Sequence, residues 1–248
     1  MSANIERLAP LHTGAESVGL SLSSEQLAQF DTLCDLLLDW NTRVNLTAIT
    51  DPAEVVTRHF LDSLTCALAL TPEERAKPLR LLDVGSGAGF PGLPLAIAFP
   101  HWQVTLLEAT GKKTRFQQAV IDALGLANAR TLNLRAEVAA HAKEQRGRYD
   151  VVTARAVAAL PTLLEYCAPF ARVGGVVIAP KKGDLSAEIE AGARAAEMLG
   201  ARLQPPIAIT TSGLADDGRA LLVARQQRLC PTLYPRAAGA PQKRPLGS

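Results

Sequence analysis

The sequence predicts an α/β fold: a doubly wound, mostly parallel sheet with an antiparallel last strand, preceded by a helical extension. Three observations carry this prediction. From Leu79 onward, short apolar runs alternate with amphipathic stretches, the pattern of βαβ units. The first apolar run opens directly onto Gly85-Ser86-Gly87-Ala88-Gly89. The last two runs, 202–209 and 219–224, are joined by the turn Leu214-Ala215-Asp216-Asp217-Gly218 with no helix between them, so they must pair antiparallel. Composition agrees. Hydrophobic residues make up 48 % of the chain but aromatics only 4 %. The core must therefore be built from Leu, Val, Ile and Ala, which suits a sheet covered on both faces.

The elements follow in order. Residues 1–20 show no clear periodicity and are read as partly disordered. Ser23 and Gln26 then form a capping box, with Leu22 as a hydrophobic staple. Leu27, Phe30, Leu33, Cys34, Leu37 and Leu38 continue at helical spacing. After a loop at Asn45-Leu46-Thr47, the start signal Asp51-Pro52-Ala53-Glu54 predicts a second helix through Val55, His59, Leu61 and Leu64. Strands are expected at 79–84, 104–107, 129–134, 149–154, 176–179, 202–209 and 219–224. Helices are expected at 112–124, ended by Gly125, at 160–171, opened by Pro161, and at 185–199, capped by Asp184. The tail from Cys230 is rich in Pro, Gly, Arg and Lys and reads as an extended basic arm. The chain thus divides into a helical extension (1–75), a core (76–229) and a tail (230–248).

Net charge is +2, so what matters is where the cations fall. Four widely spaced cysteines form no C-x-x-C pair, which argues against a disulfide framework or a zinc site. No metal is expected. No apolar run approaches the ~20 residues that span a bilayer. The expectation is a soluble, cytoplasmic, monomeric protein.

The glycine-rich turn is the chemical centre. Glycines are needed where backbone turns tightly and approaches a ligand, and a helix start offers free N–H groups. Gly87-Ala88-Gly89-Phe90-Pro91-Gly92 matches a G-x-G-x-x-G fingerprint, but out of register with the strand end and with Pro91 where an N–H is wanted. The register Gly85, Gly87, Gly89 fits better. Glu108 closes the second strand, placed to accept hydrogen bonds from both ribose hydroxyls of a nucleoside. It does not say whether that nucleoside belongs to NAD or to S-adenosylmethionine. Lys112, Lys113, Arg115, Arg155, Lys181 and Lys182 all follow strands at the same sheet edge, and the tail adds Arg236, Lys243 and Arg244. Cations gathered on one edge of a nearly neutral chain suggest a polyanionic substrate. His59, Asp62 and Ser63 share a helix face. They line the site, or the carboxylate satisfies the histidine; spacing leaves both open. No Asp/Asn-Pro-Pro-aromatic motif follows strand four and no Pro-Cys pair exists, so adenine-N6 transfer and a covalent thiol route lack support.

Taken together, the stretch from Asp83 to Leu95 resembles the glycine motif of the bacterial 16S rRNA guanine-N7 methyltransferases, the RsmG (GidB) family. Asn45-Leu46-Thr47, His59–Leu64, Arg135-Ala136-Glu137, Ala154-Arg155-Ala156, Lys182-Gly183 and the tail from Tyr234-Pro235-Arg236 resemble it too. The resemblance spans about Val44 to Leu246. It implies a Rossmann-like class I S-adenosylmethionine-dependent methyltransferase fold, with S-adenosyl-L-methionine as cofactor. The implied substrate is N7 of a guanine in the decoding-region loop, in 16S rRNA or the 30S subunit. By position, it implies cofactor contacts from Gly85, Phe90, Ala136, Glu137 and Arg155, with Glu108 where the ribose-binding acid sits. Arg155 and Lys182 are expected to position the guanine. Asn45, His59, Asp62, Lys112, Lys113, Arg236 and Lys243 are expected on the substrate side.

Overall fold

The computed structural model describes residues 5–247. Helix α1 (Ile5–Ser17) occupies the stretch expected to lack order. Pro10 inside it hides the pattern. Yet Leu8, Leu11 and Ala15 follow three- and four-residue steps and are all buried. Arg7 fixes α1 to the next helix through Asp31 and Asp35. Helix α2 (Ser24–Asn41) starts with both halves of the expected capping box.

The helix predicted after Asp51 is continuous in path but changes winding. It runs as α3 (Pro52–Val55), a π-helical turn (Val56–Leu61), α4 (Asp62–Leu64) and a 3-10 turn (Thr65–Ala69). π-turns concentrate at functional sites, and this one carries His59. The short α5 (Pro72–Arg75) leads into the core.

The core follows as β1 (Arg80–Val84), α6 (Gly92–Ala98), β2 (Gln103–Leu107), α7 (Gly111–Leu124), β3 (Ala129–Leu132) and α8 (Ala136–Ala139). It continues through β4 (Tyr149–Thr153), α9 (Leu160–Cys167), β5 (Ala171–Lys181), α10 (Ser186–Met198), β6 (Ala201–Leu203), β7 (Ile207–Ala208) and β8 (Ala220–Gln226). The sheet order is β3-β2-β1-β4-β5-β8-β6, with β7 also paired to β8. Strands β1 to β5 pair parallel, and β8 is antiparallel to β5, β6 and β7. The strand expected at 202–209 is two strands. Pro205-Pro206 interrupts it, because proline donates nothing to a ladder. Helix α10 is not capped by the Asp184 side chain in the expected way: Leu185 is its N-cap, and Asp184 accepts from Ser186 N–H at 3.0 Å. Strand order reverses between β1 and β4, so the ligand crevice lies at their carboxyl ends.

Two apolar layers cover the sheet. The first joins α1, α2 and residues 52–70 to α6 and α7, around Phe30, Phe60, Phe90, Trp102 and Phe116. The second gathers Leu163, Phe170, Leu199, Cys230, Tyr234 and Leu246, so the tail takes part in it. The arm expected at 230–248 is folded back and carries a one-turn helix, α11 (Ala240–Lys243). Arg146 donates to the carbonyls of Cys230, Pro231 and Tyr234. Glu165, wholly buried on α9, accepts from the Arg236 backbone N–H and from its Nε, both at 2.8 Å, and from its Nη2 at 2.6 Å. Among the described residues, no helix is long and apolar enough to cross a membrane.

Removing one partner of a buried ion pair strands the other charge. Arg236→Met is therefore expected to lower stability by about 3 kcal/mol in urea denaturation, and Glu165→Gln in the same background should recover part of the loss. Unchanged stability in Arg236→Met would show that the pair does not anchor the tail.

Candidate active site

The glycine-rich turn connects β1 to α6. Gly85, Gly87 and Gly89 all have positive φ, at 66°, 58° and 90°. A side chain at Gly89 would also place Cβ 2.3 Å from Leu93, so only glycine fits there. Two carboxylates hold this backbone. Asp83, at the end of β1 and fully buried, accepts from Gly92 N–H at 2.8 Å and from the Thr153 hydroxyl of β4 at 3.2 Å. Desolvation pushes its pKa up to about 7, against the opposing pull of those two donors. Glu108, at the end of β2, accepts from Gly87 N–H at 2.9 Å and Thr110 N–H at 2.8 Å. Gln117 of α7 adds two bonds, donating to Ser86 Oγ and the Gly87 carbonyl at 2.8 Å each.

A cavity of about 210 Å³ opens beside the turn. Gly85, Glu108, Ala136 and Glu137 are among its lining residues, with Val157, Tyr166, Gly239 and Gln242. Four of the residues expected to bind cofactor thus meet at one hollow. The Glu108 carboxylate accepts Gly87 N–H of the turn on one oxygen and Thr110 N–H at the start of α7 on the other, and keeps a second lone pair on each.

Beyond Phe90 lies a second cluster. His59 stacks on the Phe90 ring with centroids 4.7 Å apart and planes 13° from parallel. The Arg155 guanidinium sits 5.5 Å above the same ring. Arg155 Nη1 donates to Asp62 Oδ2 at 2.7 Å and to the Arg58 carbonyl at 3.0 Å, and Nη2 to His59 Nδ1 at 3.2 Å. An arginine only donates, so His59 Nδ1 is the acceptor and Nε2–H donates to Thr47 Oγ1 at 2.8 Å. Burial, and then the Arg155 charge, lower the His59 pKa to about 4. It is a neutral hydrogen-bonding ring at physiological pH. Asp62 is shared with Arg219 of the hairpin. Its carboxylate therefore ties the π-turn segment to β4 and β8.

The remaining expectations divide. Ser63 is buried with its hydroxyl turned onto the His59 carbonyl, so it does not line the site. Arg236 is engaged by Glu165 rather than by the solvent face. Lys181 pairs with Glu188 at 2.6 Å. Asn45, Lys112, Lys182 and Lys243 are exposed and Lys113 half-exposed. Sequence reading missed Asp83, Gln117, Tyr166 and Arg219. Asp83 had a signal, an acid at a buried strand end before a glycine turn. The others had none, because each reaches the site only through tertiary packing. All four cysteines are buried, with burial pushing Cys34 and Cys230 up to about 11 and Cys66 and Cys167 further.

His59 has a pKa near 6.5 when unfolded and about 4 when folded. Between those values the unfolded state binds more protons, so this contribution to stability is present above pH 6.5 and is lost as pH falls toward 4. Asp83 contributes the opposite slope between 3.8 and about 7. Comparing wild type with His59→Gln cancels that term. The wild type is expected to lose about 2 kcal/mol more than the variant between pH 7 and pH 4.5. Parallel urea-midpoint curves would contradict the neutral, half-buried ring.

Residues 26–210 match the family model described as GidB, rRNA small subunit methyltransferase G. A ribosomal RNA small subunit methyltransferase G from Dehalococcoides mccartyi (strain CBDB1) is 47 % identical, covering 94 % of this chain and 97 % of that one. One from Chloroflexus aggregans is 44 % identical over 99 % and 100 %. Among solved structures, a 16S rRNA (adenine(1408)-N(1))-methyltransferase from Catenulisporales acidiphilia superposes with TM-score 0.50 at 18 % identity, covering 65 % of this chain and 94 % of that one. MtNAS in complex with MTA and tNA gives TM-score 0.53 at 15 % identity, covering 84 % and 76 %. At such identities the structures speak to the fold alone. The chain is an rRNA methyltransferase and belongs to the rRNA small subunit methyltransferase G (GidB) family.

Proposed function

We propose that this enzyme uses S-adenosyl-L-methionine to methylate N7 of a guanine in the decoding-region loop of 16S rRNA. The observation that carries the cofactor reading is the cavity bounded by Gly85, Glu108, Ala136 and Glu137. Its donor set fits a nucleoside: a buried carboxylate with open lone pairs for two ribose hydroxyls, and glycine backbone that lets a ligand approach. Bound there, the sulfonium cofactor supplies an already activated methyl group.

The chain's residues then have to position rather than activate. Guanine N7 carries an in-plane lone pair and no proton, so the reaction needs no general base. That suits a corner where His59 and Asp62 are both engaged by Arg155. Three of the five Arg155 N–H donors are used by the extension, leaving Nε and one Nη2 hydrogen. In this reading Arg155 positions: it holds the π-turn and Phe90 against the cofactor edge. Exposed Lys182, after β5, is the candidate for reading the guanine O6/N7 edge. Asn45, Lys112, Lys113 and Lys243 are candidates for phosphate contacts that fix register. Alignment of this kind supplies ~7–11 kcal/mol of the barrier. The fully buried, high-pKa thiols give no support to a covalent route.

Methyl transfer from labelled cofactor, followed by mass spectrometry of digested rRNA, tests the reaction. The expected product is N7-methylguanine, and comparing 30S subunits with stripped 16S rRNA identifies the preferred form. Label appearing only on another base position would refute the N7 assignment. Glu108→Ala should raise the cofactor KM by about tenfold or more with little change in kcat, since ribose contacts bind ground and transition states alike. An unchanged KM would remove Glu108 from the cofactor site.

A further inference from the structure

The cofactor cavity has a wall that neither the glycine turn nor the strand-end acids explain. It is built from α9 and the tail. Thr162, Glu165 and Tyr166 stand at i, i+3 and i+4 on α9 and so share one face. Glu165 holds Arg236, and the Thr162 hydroxyl donates to the Pro241 carbonyl at 3.0 Å. These two bonds fix the tail on both sides of Gly239. The result is that Gly239 and Gln242 line the same cavity as Gly85 and Glu108.

Tyr166 and Gln242 are the polar side chains of this wall. Tyr166 is buried to 7 % exposure and lines the cavity. Gln242 is exposed at the rim of the cavity, and among the described residues neither the Tyr166 hydroxyl nor the Gln242 amide has a hydrogen-bond partner. The Tyr166 hydroxyl is not sealed in the interior, so it is open at the cavity to meet a ligand's polar edge. Burial, and then the Glu137 and Glu165 carboxylates, push the Tyr166 pKa up, so the hydroxyl keeps its proton. Glu108 lines the same cavity, and in the reading above it takes the ribose. A nucleoside anchored there by its sugar would direct its base toward α8, α9 and the tail.

We propose that Tyr166 and Gln242 form the base-reading end of the cofactor site, recognising the polar edge of a purine, and that the C-terminal tail is therefore a wall of that site. This rests on the S-adenosylmethionine reading above. The tail does two jobs. It completes the second apolar layer through Tyr234 and Leu246, and it sets Gln242 over the cavity.

The test uses the full chain, titrated calorimetrically with S-adenosylhomocysteine and with S-inosylhomocysteine, which differ only at the base edge. Wild type, Tyr166→Phe and Gln242→Ala are compared, with melting curves confirming that each variant is folded. The expected result is tight wild-type binding of the adenosyl compound. Each variant should weaken it by about five- to twentyfold and narrow the adenosyl-over-inosyl preference. In turnover, cofactor KM should rise while kcat holds. Wild-type binding with both variants equal to it, in affinity and in preference, would overturn the proposal while leaving the cofactor reading intact. Failure of the wild type to bind the adenosyl compound would overturn the cofactor reading and this inference with it.

Discussion

The buried Asp83 carboxylate takes one hydrogen bond from the first turn of α6 and another from β4. It stands at the one place where strand order reverses, so it joins the two halves of the sheet to the helix that begins the site. An unpaired charge there would be costly, and burial does raise its pKa to about 7. The position is tolerated because a backbone N–H and a hydroxyl serve either protonation state. The glycine turn is strung between this carboxylate and that of Glu108, one acid at each of two neighbouring strand ends. Backbone that would otherwise be free to move is thereby held in a left-handed path that only glycine follows at no steric cost.

The extension at the N-terminus completes the cluster around Phe90. Asp62 accepts from Arg155 and Arg219, which belong to different strands' ends. One carboxylate between two guanidiniums binds three segments, and at 4 % exposure its interactions are weakly screened. The π-turn matters because it changes helical phase, bringing His59 flat onto Phe90 while Asp62 still reaches Arg155. Gly14 of α1 packs against Leu61, where a Cβ would lie 2.5 Å from that side chain. Helix α1 thus supports the π-turn from behind.

The tail makes the matching enclosure on the other face. Arg146 satisfies three of its carbonyls and Glu165 holds Arg236, so a Pro- and Gly-rich segment whose regular structure is a single helical turn is still fixed. Backbone polar groups buried this way need partners, and side chains from 146 and 165 supply them.

Much of the architecture was legible in the residues themselves. Period-two and helical apolar patterns, the capping box at Ser23 and the helix-free turn at 214–218 determined the strands, the helices and the antiparallel closure, because those signals are local. Gly85, Gly87, Gly89 and Glu108 point to a nucleoside site from equally local signals, though not to which nucleoside; the family motifs imply the methyl donor. Tertiary structure alone decided the rest. Leu8, Leu11 and Ala15 form a helix despite Pro10 because packing against residues 52–70 outweighs propensity. Arg236 faces a buried carboxylate that lies 71 positions away, which no charge pattern reveals. Tyr166 and Arg219 reach the site because the sheet order sets α9 and β8 beside β4 and β5, and such contacts depend on chain topology, not on neighbouring sequence.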